Sequence, residues 1–468
     1  MKRILRVAVG IGAVTALCAA LTGGGYYAMT AKFNPDPPVA HYPRPATALE
    51  AQQQDIDYFR KLIALDRSFP PAARDEAERR IAALQRLGYV LPHPKFRVAL
   101  MEIVALADNG HTRLNSNPGA DPLELPVRVR SFPDGVYILH ARNDYRDLLG
   151  ARVIAVDGRP IESVIARLKQ LRGGTAAFRR LNANVYLIYQ DVLYGAGIAA
   201  HADRVDWTIR LASGQTVTRT LFSYLPKADE ISPPANRWLS PDPAKGMKDW
   251  AALRPREIPL TLQRFDSAFQ RHSIPGSCTL LVQLKSNVDV DSQHIADFLR
   301  DTETAMRARP PCNVIFDMRF NGGGDYTNTA SFARRLPGLV KPGGHIYLLT
   351  STATFSAAIT TTAFVKEAGG DRVTILGESV GDRLAFFSEG NRGCLPNYHL
   401  CVSYQTGKHD YAHPCWNPDV CYWLNWFYPV RVKTLQPDET ITMTFVDWKA
   451  GRDRVFERAL ALAAGQRK

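Results

Sequence analysis

Ser356 stands in the stretch TATFSAAITTT, residues 352 to 362, where the strand-like run HIYLLT from His345 gives way to a helix-like run of small residues. A serine at such a join can cap the helix with its hydroxyl. The same place suits a nucleophile, because a helix start offers unpaired N–H groups and the positive end of the dipole. Upstream, FDMRFNGGGDYTN carries Gly322, Gly323 and Gly324 between a strand-like and a helix-like run. A tight turn needs one glycine. Three let the backbone approach a bound group and aim N–H groups at developing negative charge. Neither stretch matches a phosphate loop or the Gly-x-Ser-x-Gly elbow. His111, in DNGHTRL, follows a helix-like segment stopped by Asn109 and Gly110, and is a candidate base. Taken singly, the three have ordinary readings as a cap, a turn and a structural histidine.

The surrounding pattern predicts how these residues are carried. Strands near 278–285, 313–318, 345–350 and 372–377 alternate with helices near 291–308, 326–336 and 356–368. That alternation predicts parallel strands with crossover helices, an α/β layered core. Residues 50 to 118 read as helical. PPAARDEAERRIAALQRLG opens on proline and closes on glycine, and Phe96, Leu100, Ile103, Val104 and Ala107 keep helical spacing in the next segment. Between the two, GVYILHA, ARVIAVDG and VDWTIRL predict a small, mostly β module over 119–225.

The chain has 468 residues, 46% of them hydrophobic and 22% charged, which is enough for two or three domains with their own cores. The net charge of +13 is diffuse, without the aromatic-interleaved Lys/Arg blocks of nucleic-acid binders, so no nucleic-acid partner is expected. MKRILR precedes a charge-free run from Val7 to Met29. This predicts an export signal or membrane anchor over 1–31, followed by a proline-rich linker over 32–50, with the remainder extracytoplasmic. Beyond Cys18 there are six cysteines. An even count in an exported chain points to disulfides, and Cys394–Cys401, Cys415–Cys421 and Cys278–Cys312 are the expected pairs. The alternative for the four cysteines of 394–421 is zinc, but the usual two-residue spacing is missing.

In this order and spacing the segments resemble the carboxy-terminal processing (tail-specific) and tricorn-core serine peptidases, over most of residues 90 to 455. DNGHTRL is similar to the family's Asp-x-His-Thr segment, LLGARVIAVDGRPIESV to half of its PDZ-like module, NVIFDMRFNGGG to its glycine turn and TSTATFSAA to its nucleophile segment. ILGESVGD and LQPDETITMTFVDWKAGRD are similar to the following strand and closing segment. The resemblance implies an extracytoplasmic serine endopeptidase needing no metal or organic cofactor. It implies a helical segment (51–118) carrying His111, a PDZ-like module (119–225) and a crotonase/ClpP-like parallel-sheet core (226–468). Ser356 is then the nucleophile, acting on a protein or peptide substrate. The processing branch takes its base from a lysine in the turn after the following strand. Here that turn is GESVGDR, with Asp382 in the lysine's place, and Arg383 cannot deprotonate. The base therefore falls to His111, as in the tricorn-like branch. Glu389, Glu378, Asp382 and Asp108 are candidates to orient it, with Glu389 favoured. The oxyanion hole falls to N–H groups of Gly323 or Gly324 and Ala357. A non-catalytic ligand-binding member of the fold and an ester hydrolase are the competing readings.

Overall fold

The computed structural model describes residues 24–116, 123–227, 230, 237–243 and 247–465. Its central sheet has six strands in the spatial order Glu439–Thr440, Val373–Gly377, His345–Thr350, Asn313–Asp317, Thr279–Leu284 and Phe269–Ser273. Every neighbouring pair is parallel except the last, which is antiparallel. All five residues of Asn313–Asp317 are buried. Such a fully buried run, with Val314, Ile315 and Phe316 at its centre, belongs to a parallel strand covered on both faces. Val314 and Phe316 pack against the helices Ile295–Ala308, Thr327–Arg335 and Ala357–Gly369. Ile315 lies on the opposite face, in contact with Val455, Phe456 and Ala459 of the helix Arg454–Gly465. The expected strands and crossover helices are all present, most ends within two residues; the first helix begins later, at Ile295.

Three helices, Ala48–Leu65, Pro71–Gln85 and His93–Ala105, form a layer of their own. Thr47 caps the first, accepting the Glu50 N–H, and Pro71 opens the second. The layer is held to the core by a long hairpin, Ala385–Cys394 with Leu400–Asp410, to which Arg113–Ser116 adds a third strand. Leu395, Leu400, Val402 and Tyr404 pack with Phe59, Leu62, Phe96 and Leu100. The strand Arg113–Ser116 begins two residues past His111, so this sheet fixes the histidine relative to the core.

The module over 119–225 corrects the expectation of a mostly β unit. Its sheet runs Val127–Phe132, Gly135–Arg142, Arg152–Val156, Arg204–Arg210 and Thr216–Phe222, with Arg159–Pro160 and Trp250–Ala252 paired at its side. Between its third and fourth strands lie three helices, Ile161–Leu168, Ala176–Tyr186 and Gln190–Gly195. Val164, Ile165 and Leu168 form one face of the first and are buried with the sheet's valines. That spacing was present in IESVIARL, but the flanking strand patterns overshadowed it.

The three expected disulfides, Cys278–Cys312, Cys394–Cys401 and Cys415–Cys421, are formed. Cys278 and Cys312 immediately precede two paired parallel strands, which brings their Cα atoms to 5.1 Å. Disulfides of this kind persist in oxidising compartments. Cys18 and most of the apolar run Val7–Met29 lie outside the described residues. Among the described residues no helix is long and apolar enough to cross a membrane.

Below the glycine turn, Arg319 is buried between two carboxylates. Its Nε and Nη2 donate to Asp317 at 2.9 and 2.8 Å, and Nη1 and Nη2 to Asp453 at 2.7 and 2.8 Å. Arg319→Met leaves both carboxylates buried without their partner. The expected loss is about 3–5 kcal/mol of unfolding free energy, measured by urea denaturation. A loss under about 1 kcal/mol sinks the idea that the ion triad anchors the turn.

Candidate active site

The parallel strands end on one side of the sheet, and their C-terminal loops meet there. Thr350 leads into a tight turn in which the Thr354 N–H donates to Ser351 O at 2.8 Å. The Thr354 hydroxyl donates to Met318 O at 2.9 Å, and the Phe355 N–H to Asn321 O at 3.1 Å. These bonds tie the Ser356 loop to the glycine turn. Ser356 itself has φ +56° and ψ −129°, a conformation that a residue with a Cβ adopts only under constraint. It occupies the cap position of Ala357–Gly369, yet its hydroxyl makes no capping bond. The ordinary reading of Ser356 as a helix cap therefore fails.

The glycine turn presses on the same residue. A Cβ on Gly323, at φ +108°, would lie 2.6 Å from Ser356 Cβ and 3.1 Å from Ala357 N. The Gly323 N–H is already taken by Asn321 Oδ1 at 2.9 Å. Those of Gly324 and Ala357 donate to no acceptor among the described residues. Gly323→Ala must displace either Ser356 or the turn. The expected result is a fall in kcat of about 100-fold with little change in substrate affinity, read by steady-state kinetics on a peptide. Unchanged kcat would show that the close approach is incidental.

His111 lies in a column of rings. Phe178, Phe355, His111, Phe386 and His409 stack in that order, with centroid separations of 4.4, 4.3, 5.3 and 5.1 Å. Phe355 is the neighbour of Ser356 in the chain, so the stack sets the imidazole against the residue that precedes the serine. Burial, with the charges of His409, Arg113 and Arg172 nearby, holds the His111 imidazole well below its ordinary pKa, so it is neutral. Both ring nitrogens are buried and without a hydrogen-bond partner. The Ser356–His111 hydrogen bond is accordingly not made in this structure.

Of the four candidate carboxylates, Asp382 is the one beside the imidazole, with Oδ2 3.8 Å from Nδ1. Its side chain is 1% exposed, and Oδ2 has no hydrogen-bond partner. Burial pushes its carboxyl up to about 6, against the lowering effect of the Arg383 N–H. Glu389 instead accepts the Ser388 hydroxyl at 3.1 Å and lies 3.4 Å from His409 Nε2. Asp108 pairs with Arg179 and Arg383. Glu378 faces Thr352, accepting from its hydroxyl at 3.3 Å.

Sequence reasoning missed the clamp on the histidine loop. Arg383 donates to Asp108 O at 2.9 Å and Arg172 to Gly110 O at 2.7 Å. A Cβ on Gly110 would sit 2.9 Å from the Phe355 ring and 3.0 Å from Asp382 Oδ2, so this loop too is pressed against the nucleophile segment. The aromatic column was equally hidden, since its five members come from segments between residues 111 and 409. Gly110 was noticed only as a helix stop.

No protein-family model matches the sequence, and no curated protein does. Solved structures do match. The crystal structure of mature CPAF aligns with a TM-score of 0.57 at 12% identity, covering 89% of this chain and 98% of that one. Mature CPAF complexed with lactacystin aligns with a TM-score of 0.55 at 12% identity, covering 89% and 99%. At such identities the likeness is one of fold. Over 89% of its length, the chain has the mixed α/β fold of mature CPAF.

Proposed function

We propose that the chain is a serine peptidase of the carboxy-terminal processing and tricorn-core type. Ser356 is the nucleophile, His111 the general base, and Asp382, in preference to Glu389, the group that orients and charges the imidazole. Substrate binding brings the serine hydroxyl to the imidazole, a contact often loose in empty sites. Neutral His111 takes the proton as Oγ attacks the peptide carbonyl. Gly324 and Ala357 N–H groups receive the developing oxyanion, with the start of Ala357–Gly369 adding its dipole. The imidazolium, stabilised by Asp382, then protonates the leaving amine, and water releases the acyl group by the same steps in reverse.

In this reading 226–468 is a crotonase/ClpP-like peptidase core and 119–225 a PDZ-like module that handles the peptide. The segment 51–118 delivers His111, 32–50 is a linker, and 1–31 takes the chain to or across a membrane. The disulfides support an extracytoplasmic, periplasmic or secreted setting.

The observation that carries the reading is Ser356, held at positive φ at a helix start with its hydroxyl uncommitted, next in the chain to Phe355, whose ring stacks on His111. A fluorophosphonate probe should label the folded full-length chain at one residue, and peptide mapping should place the adduct on Ser356. Lactacystin, the compound in the second neighbouring structure, is a useful second probe. Absence of any adduct on folded protein would sink the peptidase claim. Labelling with ester hydrolysis but no cleavage of unfolded protein would favour the ester hydrolase.

A further inference from the structure

A cavity of about 270 Å³ opens behind the histidine loop, between the strand Arg113–Ser116 and the helix Ala176–Tyr186. Arg97, Arg113 and Arg172 line it, together with Asn115, Asn182 and Tyr186, and among the described residues no carboxylate does. Arg392 adds a fourth guanidinium at its edge. Arg113 and Arg392 both pair with Ser403 in the three-stranded sheet, so the two flank it in one row and share a face. Arg392 also donates to Ser116 O, in the cavity wall.

Arg113, Arg172 and Arg392 form no ion pair among the described residues, whereas Arg79, Arg167, Arg179, Arg180, Arg219 and Arg335 each face a carboxylate. Arg172 is 6% exposed, and its Nε is buried without a partner, as is that of Arg392. Like charges gathered in a part-enclosed space repel, and a buried N–H without an acceptor costs further stability. A bound oxyanion removes both costs, since a guanidinium presents paired donors matched to carboxylate or phosphate oxygens.

We propose that this cavity binds a carboxylate or phosphate group, held by Arg113, Arg172 and Arg392. The group comes either from an acidic side chain of the peptide substrate or from a free small anion. Arg172 also holds Gly110 O, next to His111, so occupancy acts on the position of the histidine loop. Binding itself does not depend on the peptidase reading, and the first measurement below needs no catalysis.

The full-length chain is titrated with inorganic phosphate and, separately, with glutarate, against chloride at equal ionic strength. A saturable rise in Tm is expected for the wild type and is lost in both Arg113→Gln and Arg392→Gln. Two peptides differing in one glutamate then separate the sources. If the acidic side chain is the ligand, Arg392→Gln raises KM for the acidic peptide about tenfold and leaves the neutral one unchanged, and phosphate competes with the acidic peptide alone. If a free anion is the ligand, phosphate changes kcat for both peptides equally, and the change is lost in the variant. The proposal is overturned if phosphate and glutarate raise Tm no more than chloride does. It is equally overturned if the saturable rise persists in both variants.

Discussion

Ser356→Ala is expected to lower kcat on a peptide substrate by about 10⁴-fold or more and to abolish fluorophosphonate labelling, while leaving Tm within a degree or two of wild type. The two halves of that expectation come from one geometry. A capping serine satisfies an N–H of the first turn, and its loss costs about 1 kcal/mol. Ser356 makes no such bond, so alanine removes only a hydroxyl that the fold does not use. Alanine also keeps the Cβ, so it inherits the strained φ of +56° and relieves nothing. Glycine tolerates positive φ, and Ser356→Gly should therefore be the more stable of the two variants by about 1 kcal/mol, and equally inactive. Activity retained in Ser356→Ala together with a clear drop in Tm would restore the cap and remove the nucleophile. Chemical denaturation and single-turnover kinetics on the three proteins make the comparison.

Why this site was partly legible in the sequence, and partly not, follows from which constraints are local. The strands Thr279–Leu284, Asn313–Asp317, His345–Thr350 and Val373–Gly377 were readable because a doubly covered parallel strand carries a run of consecutive apolar residues. Ser356 and the glycine turn were readable because each lies at a strand-to-helix join, which a run of small residues marks. The helices Ile161–Leu168 and Ala176–Tyr186 were passed over between strong strand patterns, although Val164, Ile165 and Leu168 carried the helical period. The hairpin Ala385–Cys394/Leu400–Asp410 was also not anticipated, and it matters more, since it docks the helical layer and carries Phe386 and Glu389. Glu389 has φ +55° and lies opposite Thr406, between the Ser388–Gly407 and Gly390–Gln405 pairs of an unshifted register. A left-handed backbone at this non-glycine residue helps decide where its carboxylate points, and it leaves little trace in composition. The choice among four carboxylates thus rested on a backbone detail that spacing does not encode.

Asp382→Asn is expected to lower kcat by roughly 10² to 10⁴-fold and yet to raise stability at pH 8, an opposition that few structural roles produce. The carboxyl titrates at about 6 in the folded chain because burial disfavours its charge. Its value in the unfolded chain is about 3.9. Folding therefore favours the protonated acid. That contribution is fully present below the unfolded value and is lost as pH rises through 6, so the ionised Asp382 costs up to about 3 kcal/mol by pH 8. Asparagine carries no such penalty, and the stability gap between variant and wild type should grow from near zero at pH 4 to its full size above pH 7. The depressed His111 runs the other way, stabilising at high pH and losing that contribution as pH falls below its unfolded value, but it is present in both proteins. Activity needs the penalised form. Only an ionised Asp382 can stabilise the imidazolium that His111 becomes on taking the serine proton. The acid limb of kcat/KM should therefore fall near pH 6 in the wild type, as an apparent value of the His111–Asp382 pair, and should move or vanish in Asp382→Asn. Glu389→Gln provides the contrast. Its carboxylate lies beside His409, so kcat should change less than about tenfold. The reverse pattern, a crippled Glu389→Gln and an active Asp382→Asn of unaltered pH profile, would return the orienting role to Glu389 and leave Asp382 as a buried acid with no part in the chemistry.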